Sequence, residues 1–365
     1  MLQRLYVKNF TVFAEANFDF GPGLNVVVGT NGTGKSHVLK LGYAMEAAEE
    51  AVKHGQFSEA KKEVSEQLRE ARAHYLSTVF LLEEFHDIIR DDSYGDADLE
   101  VITGDGEIQE DVTVEFDSDV EKVRAARSLG SRAAVDSAPI FIPPKEVLSI
   151  FPGLGSLARK YRISFDQTYI DLLDALELPP LRQLSTPIER LIKDSLQPIM
   201  QGRIVLEGGR FYLILDNNKR IEINLAAEGI RKFGMLAQLL NNGSLTPQTT
   251  LFWDEPEANL NPALLRKLAA VLAELARQGF QIILATHSLF LLKELHILSR
   301  QKDAKKLPIR YFGLNAGLDG ATMVTTVDDF EKLPDIVALD AELEQADTLT
   351  LVFAQDDADH HGEER

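Results

Sequence analysis

Apolar positions along this chain switch repeatedly between a period of two and a period near 3.6, and the switches divide it into strands and helices. Residues 2–10 alternate imperfectly, as an edge or half-buried strand does. Phe18 to Phe20 lead through the turn Gly21-Pro22-Gly23 into Leu24-Asn25-Val26-Val27-Val28, a β-branched run suited to a strand buried on both faces. Ser36 onward reads as helix. Between about 45 and 92, Val64, Leu68, Ala71, Tyr75, Val79, Leu82, Phe85 and Ile89 recur on one helical face, which predicts a long amphipathic helical stretch.

The stretch 98–116, interrupted by Thr103-Gly104-Asp105-Gly106, predicts a β-hairpin. Ile140-Phe141-Ile142 is a short strand stopped by Pro143-Pro144, and 145–202 is irregularly helical with a break at Pro179-Pro180. A second hairpin, 203–215, turns at Gly208-Gly209, with Asn217-Asn218 as a further turn. Beyond it the pattern alternates: helix 225–242, strand 250–253, helix 262–278, strand 282–285, helix 288–299, and a last strand 309–314. Strands alternating with helices predict an α/β fold with a mostly parallel sheet, an antiparallel β subdomain and helical insertions. The chain divides accordingly into a core N-terminal half (1–44), a helical lid with a β-hairpin (45–138), a helical subdomain (139–202), a core C-terminal half (203–345) and an acidic tail (346–365).

Composition narrows the function. The 365 residues include no Cys, which removes a disulfide scaffold, a zinc hook, an iron–sulfur cluster and a cysteine nucleophile together. Lys+Arg number 38 against 57 Asp+Glu, a net charge of −19, which argues against a surface devoted to nucleic-acid phosphates. Basic stretches are short: Lys61-Lys62, the scattered Lys122, Arg124, Arg127 and Arg132, and Lys302 with Lys305-Lys306. No apolar run reaches the roughly 18–20 residues of a membrane helix, and the N-terminus lacks a signal-peptide pattern, so the expected location is cytoplasmic, with no membrane partner.

Three segments carry chemistry. Gly29-Thr30-Asn31-Gly32-Thr33-Gly34-Lys35-Ser36 satisfies G-x-x-x-x-G-K-[ST] between a strand and a helix. Its glycines let backbone N–H groups approach phosphates, the helix start turns its positive end toward them, Lys35 reaches the β- and γ-phosphates, and Ser36 ligates Mg²⁺. Asp254 and Glu255 end an apolar strand, where Asp254 suits the Mg²⁺ shell and Glu255 a general base for the attacking water. His287 follows the strand 282–285 and, in this order of motifs, reads as a γ-phosphate sensor.

Together the Asn-Gly-Thr-Gly-Lys-Ser loop, the run from Trp253 through Asp254-Glu255-Pro256-Glu257 to Pro262, and Ala285-Thr286-His287-Ser288 resemble the ABC-type ATPases of the SMC, RecF and OLD group. Within it the chain is similar to small stand-alone AAA family ATPases of bacterial defence operons, as in Septu-like systems. The resemblance implies a P-loop NTPase of ABC-ATPase head type that binds ATP and Mg²⁺ and forms a head-to-tail dimer. Asn31, Gly32, Thr33, Gly34, Lys35, Ser36 and His37 would bind nucleotide, joined by Glu228 and Gly229 of a signature helix from the neighbouring copy. Lys35, Glu255 and His287 would be catalytic, and Ser36 and Asp254 would hold the metal. Asn259 and Asn261 match a D-loop that communicates between the two sites.

The chain departs from the family pattern twice. Ala227 stands where signatures carry Ser, and Pro143-Pro144-Lys145 where a Q-loop Gln is expected; both imply slow or conditional hydrolysis. Glu228 beside a phosphate requires that it turn toward Arg231 or Lys232. The 218 positions between Ser36 and Asp254 are too few for a long paired coiled coil, and the 78 after His287 leave no room for a toprim nuclease domain, so an effector would be a separate protein. The expected function is an ATP-dependent switch controlling such an effector, a nuclease or toxin in anti-phage defence. The alternatives are a RecF-like clamp that grips DNA and a binding module in which ATP is a structural glue.

Overall fold

The computed structural model describes residues 1–58, 62–90, 97–104, 109–116, 124–126, 138–161, 164–301, 305–317, 320–333, 344–345 and 347–352. In chain order the elements are β1 (Leu2–Phe10), β2 (Phe13–Asp19), β3 (Leu24–Gly29), α1 (Lys35–Lys53), α2 (Val64–Phe80), β4 (Ala97–Gly104), β5 (Gln109–Phe116), β6 (Arg124–Ala126) and β7 (Ile140–Ile142). There follow α3 (Phe151–Lys160), α4 (Gln167–Glu177), α5 (Thr186–Arg190), a π-helical stretch Leu191–Leu196, α6 (Gln197–Met200), β8 (Gly202–Glu207), β9 (Arg210–Leu215) and β10 (Arg220–Glu222). Last come α7 (Glu228–Asn241), β11 (Thr250–Asp254), α8 (Pro262–Arg277), β12 (Gln281–Thr286), α9 (Leu289–Ser299), β13 (Ile309–Ala316) and β14 (Thr322–Val327).

The central sheet has the order β14-β13-β3-β12-β11-β7, parallel except for β14. Strands β3, β11 and β12 are buried along their whole length, as their continuous apolar runs require. Alternate residues feed two cores. Val26, Val28, Leu251, Trp253, Ile282 and Leu284 face a core built with the helices from α3 onward. Val27, Phe252, Ile283 and Ala285 face a second core with α1 and the antiparallel sheet β2-β1-β4-β5-β6. A third sheet, β10-β9-β8, is antiparallel.

Four expectations need correction. The stretch 45–92 is not one helix: α1 stops at Lys53 before Gly55 (φ 74°), and α2 stops at Leu81, which is left-handed (φ 55°). Phe85 and Ile88 then pack from a separate 3₁₀ turn. Val64, assigned to the apolar face, is 62% exposed, whereas Ala71, Arg72, Leu76 and Val79 are buried. Residues 13–19 form a strand that pairs with β1, joined through left-handed Asn9 and Thr11 without a glycine to mark the turn. Of the two readings offered for residues 2–10, the half-buried strand holds and the edge does not: β1 pairs also with β4, so the 98–116 hairpin extends that sheet. Finally, 309–314 is not the last strand, because β14 returns antiparallel beside it. The acidic tail from 353, Lys61, Lys122, Arg127, Arg132 and Lys302 lie outside the described residues.

Candidate nucleotide site

Strand order builds the site. β12 lies between β3 and β11, and all three run parallel, so their C-terminal ends deliver the glycine-rich loop, His287 and the acidic pair to one edge. Ligands in open α/β sheets bind at this edge. The helix α1 begins at Lys35, capped by Gly34 in a left-handed conformation (φ 87°). A Cβ at Gly34 would lie 2.6 Å from Val12 and 2.8 Å from Phe13, so conformation and space both demand glycine there.

Asn31 and Gly32 are exposed at the loop tip, while Thr33 is buried and donates to the Thr30 carbonyl at 2.9 Å. Lys35 is buried, and its ammonium donates to the carbonyls of Gly29 and Thr30, each at 2.9 Å. Burial lowers its pKa, opposed by the charges of Glu255, Asp254 and Glu257. His37 packs its ring 5.9 Å from that of Phe80, and its buried Nδ1 has no hydrogen-bond partner among the described residues. Burial, then the charge of Lys40, holds the His37 imidazole below its ordinary pKa.

Asp254 is 4% exposed at the end of β11. Burial raises its pKa, while a hydrogen bond from the Ser36 hydroxyl opposes that rise. Its Oδ1 is buried with no partner. An unpartnered carboxylate oxygen beside a serine hydroxyl is a donor set of hard oxygens suited to Mg²⁺, which takes one or two protein ligands and completes its shell with phosphate and water.

Glu255 leaves the strand in a left-handed conformation (φ 46°), its N–H bonded to the Ala285 carbonyl at 3.0 Å. Its Oε1 lies 3.4 Å from His287 Nδ1. Glu257, which the motif reading left without a role, is buried against the end of β12. It accepts from the Thr286 hydroxyl at 2.6 Å and the His287 N–H at 3.1 Å. The available signal was the second glutamate of Asp254-Glu255-Pro256-Glu257 facing the Thr-His pair on the neighbouring strand.

The structure therefore brings Lys35, Ser36, Asp254, Glu255 and His287 together, and adds Glu257. Glu228 and Gly229 make their contacts elsewhere, beside the loop after β11. Glu228 does not turn to an arginine: it accepts from Asn259 Nδ2 at 2.8 Å, and Arg231 instead pairs with Glu146 at 2.6 Å. Glu228 does lie in the field of Lys232, whose ammonium is buried and donates to the Ala258 carbonyl at 2.6 Å. Gly229 is buried, and a Cβ there would lie 2.8 Å from the Leu264 Cδ1 and 2.9 Å from the Leu260 Cδ2 methyls, so it is packed against its own chain. Asn261 caps α8 by accepting from Leu264 N–H at 2.9 Å, and Asn259 is left-handed (φ 60°). Pro143-Pro144-Lys145 follows β7, and the next residue, Glu146, is the one paired with the signature helix.

A glycine-rich phosphate loop after β3, an acidic end on β11 and a histidine after β12 define a P-loop ATPase of the ABC or SMC-head kind. Residues 24–293 match the family described as "AAA domain, putative AbiEii toxin, Type IV TA system", and residues 4–41 match a second family described as "AAA domain". The chain belongs to the first of these families, whose match spans more than half its length. No curated protein sequence matches it. Among solved structures, the SMC head bound to the C-winged helix domain of ScpA shares its fold with a TM-score of 0.53 and 14% identity, over 90% of this chain and 98% of that one. The SMC head domain with an extended coiled coil bound to the C-terminal domain of ScpA, derived from Pyrococcus furiosus, gives a TM-score of 0.50 at 12% identity, over 96% and 99%. No helix among the described residues is long and apolar enough to cross a membrane.

Proposed function

We propose that this protein hydrolyses ATP as a switch: it binds Mg-ATP at the edge of the central sheet, pairs head to tail with a second copy, and thereby controls a separate effector. The observation that carries the chemistry is Asp254, a buried carboxylate at the end of β11 with one oxygen unpartnered, in the field of Lys35. Ser36 and Asp254 would hold Mg²⁺, which supplies charge neutralisation on the phosphate oxygens. Lys35 exchanges its two carbonyl acceptors for phosphate oxygens, a gain because the ammonium then pairs with an anion and not with a neutral dipole. Glu255 takes the proton from the attacking water, and His287, held against it, contacts the γ-phosphate. Asn31, Gly32, Thr33, Gly34 and His37 line the nucleotide in this reading.

The signature surface offered to the second copy is Ala227 with the first turn of α7, because Gly229 is already packed inward. Leu225, 80% exposed, adds apolar area to that surface. On this reading 1–44 and 203–345 carry the nucleotide chemistry, and 45–138 and 139–202 are additions that reach an effector. The SMC heads that share its fold are bound to a ScpA domain, which supports a separate protein partner; the partner in this reading is a nuclease or toxin of a Septu-like defence system. Arg210 and Arg220 of the third sheet are already paired with Glu222 and Glu207, which weakens what they would offer a DNA backbone in the RecF-like alternative.

The test is the solution mass of Glu255→Gln with and without Mg-ATP, alongside phosphate release by the wild type. Monomers that become dimers with ATP, and fail to do so when Ala227→Glu is added, support the switch. A mass unchanged by ATP would refute the dimer, and absent phosphate release would refute hydrolysis.

A further inference from the structure

We propose that Glu257 is the positioning residue for His287, a role that rests on the ATPase reading above: its carboxylate fixes the backbone from which the histidine leaves β12 and holds the Nδ1 side of the ring, so that the opposite edge is aimed at the phosphate. Four observations converge on it.

The chain after β11 makes a tight turn, with Ala258 N–H bonded to the Glu255 carbonyl and Leu260 N–H to the Glu257 carbonyl. The left-handed residues Glu255 and Asn259 bracket this turn, and such backbone strain costs on the order of 1–3 kcal/mol per residue and collects at functional sites. The turn carries Glu257 back over the neighbouring strand, where Oε1 receives both the Thr286 hydroxyl and the His287 N–H. Thr286 Oγ1 in turn accepts from the Ser288 N–H at 3.0 Å, and Ser288 caps α9. The backbone on both sides of His287 is therefore tied to one carboxylate oxygen.

The ring is reached as well. His287 Nδ1 lies 3.6 Å from Glu257 Oε1 and 3.4 Å from Glu255 Oε1, so two carboxylates flank the same nitrogen. A histidine whose one nitrogen faces carboxylate presents the other outward, the arrangement used to fix imidazole orientation in catalytic and metal sites.

A carboxylate is more than the turn needs. Glu257 is 9% exposed, and its Oε2 is buried with no hydrogen-bond partner among the described residues. An unsatisfied charged atom costs stability that a neutral side chain would avoid. The nearby cations are Lys35 of the phosphate loop and Lys232 of α7, each of which feels the Glu257 charge. One buried carboxylate thus stands between the phosphate loop, the signature helix and the histidine, where its energetic cost is matched by a role in placement.

The experiment is a steady-state ATPase comparison of the wild type, Glu257→Gln, Glu257→Ala, His287→Ala and the double variant Glu257→Ala/His287→Ala. Misplacing a reacting group by about 1 Å costs on the order of 100-fold in rate. Glu257→Ala is therefore expected to lower kcat by about 10- to 100-fold with KM for ATP within about threefold. Glu257→Gln, whose amide oxygen can accept the same two donors, should recover most of that loss. The double variant should be no slower than His287→Ala alone. Additive losses, a loss confined to KM, or no rescue by glutamine would overturn the positioning role. If Glu257→Ala does not fold, Thr286→Val, which removes one donor to the same oxygen, should lower kcat and add nothing to His287→Ala; additivity there would overturn the proposal equally. A wild type that binds but never hydrolyses ATP would overturn the ATPase reading and this role with it. A hydrolysing wild type with additive variants would overturn this role alone.

Discussion

Glu255 Oε1 lies 3.4 Å from His287 Nδ1, across the ends of two neighbouring parallel strands whose residues are 32 positions apart in sequence. Neither residue touches the other through local structure; the register that pairs Asp254 with Ala285 brings them face to face. Separate loss of each should therefore damage one step. Glu255→Gln and His287→Ala are each expected to lower kcat by about 100-fold or more, the usual value of a positioned acid–base group, with nucleotide binding retained. Phosphate release and binding of a fluorescent ATP analogue check the two halves of that expectation.

Asp254 carries a desolvation cost that the proposed Mg²⁺ site would explain. Its buried carboxylate has one unpartnered oxygen, so Asp254→Asn should raise the melting temperature of the nucleotide-free protein, by about 1–3 kcal/mol of relieved desolvation at most. The same change should abolish the additional stabilisation that Mg²⁺ gives over ATP alone. Melting curves with ATP, with and without Mg²⁺, read both effects. Trp253, the single tryptophan and fully buried beside Asp254, is the natural fluorescence probe.

Lys232 ties α7 to the loop after β11. Its ammonium is buried and donates to the Ala258 carbonyl, and hydrogen bonds to charged groups contribute roughly 1.5–3 kcal/mol. Lys232→Met keeps the apolar stem and removes the donors. It should lower the urea midpoint by that amount of free energy with an unchanged m-value.

Gly229 packs against two leucine side chains of its own chain. Ala at 229 would push into Leu260 and Leu264, and overpacking of this kind costs about 1–3 kcal/mol. Ala227→Glu, one turn start away and exposed, should leave the urea midpoint unchanged within about 0.5 kcal/mol. Equilibrium unfolding of the two variants distinguishes an intramolecular from an intermolecular role for this glycine.

Asp171 gives the fold a pH dependence remote from the chemistry. It accepts from the buried Tyr43 hydroxyl and from Gln167, yet burial raises its pKa above the ordinary carboxylate value. The folded state thus holds the proton more tightly than the unfolded state, so this group's contribution is complete below the unfolded pKa. It is lost as pH rises through the raised folded value. Asp171→Asn cannot titrate, so its melting temperature relative to wild type should climb as pH rises from about 4 upward. Paired melts across that range measure the trend.

The phosphate loop was legible because its chemistry is local: eight consecutive residues supply the glycines, the lysine, the serine and the helix start, and no distant contact is needed to recognise them. Continuous apolar runs at Leu24–Val28 and Ile282–Ala285 likewise implied strands covered on both faces, and the two cores confirm that alternation. Residues whose partners are far away in the chain were misread or left unassigned. The helical periodicity of 64–89 overran Leu81 because a left-handed stop at a non-glycine residue leaves no mark in composition. Glu228 was expected to meet a neighbouring cation on its own helix, yet its partner, Asn259, comes from a loop 31 residues on. Glu257 carries no helical or strand pattern at all. Only the parallel register of β11 and β12 places it over Thr286 and His287. Local sequence determines which elements and which reactive groups exist, because propensity and loop geometry act within a few residues. Which carboxylate holds which histidine is decided by strand order and register, properties that belong to the folded sheet and to no single segment of the chain.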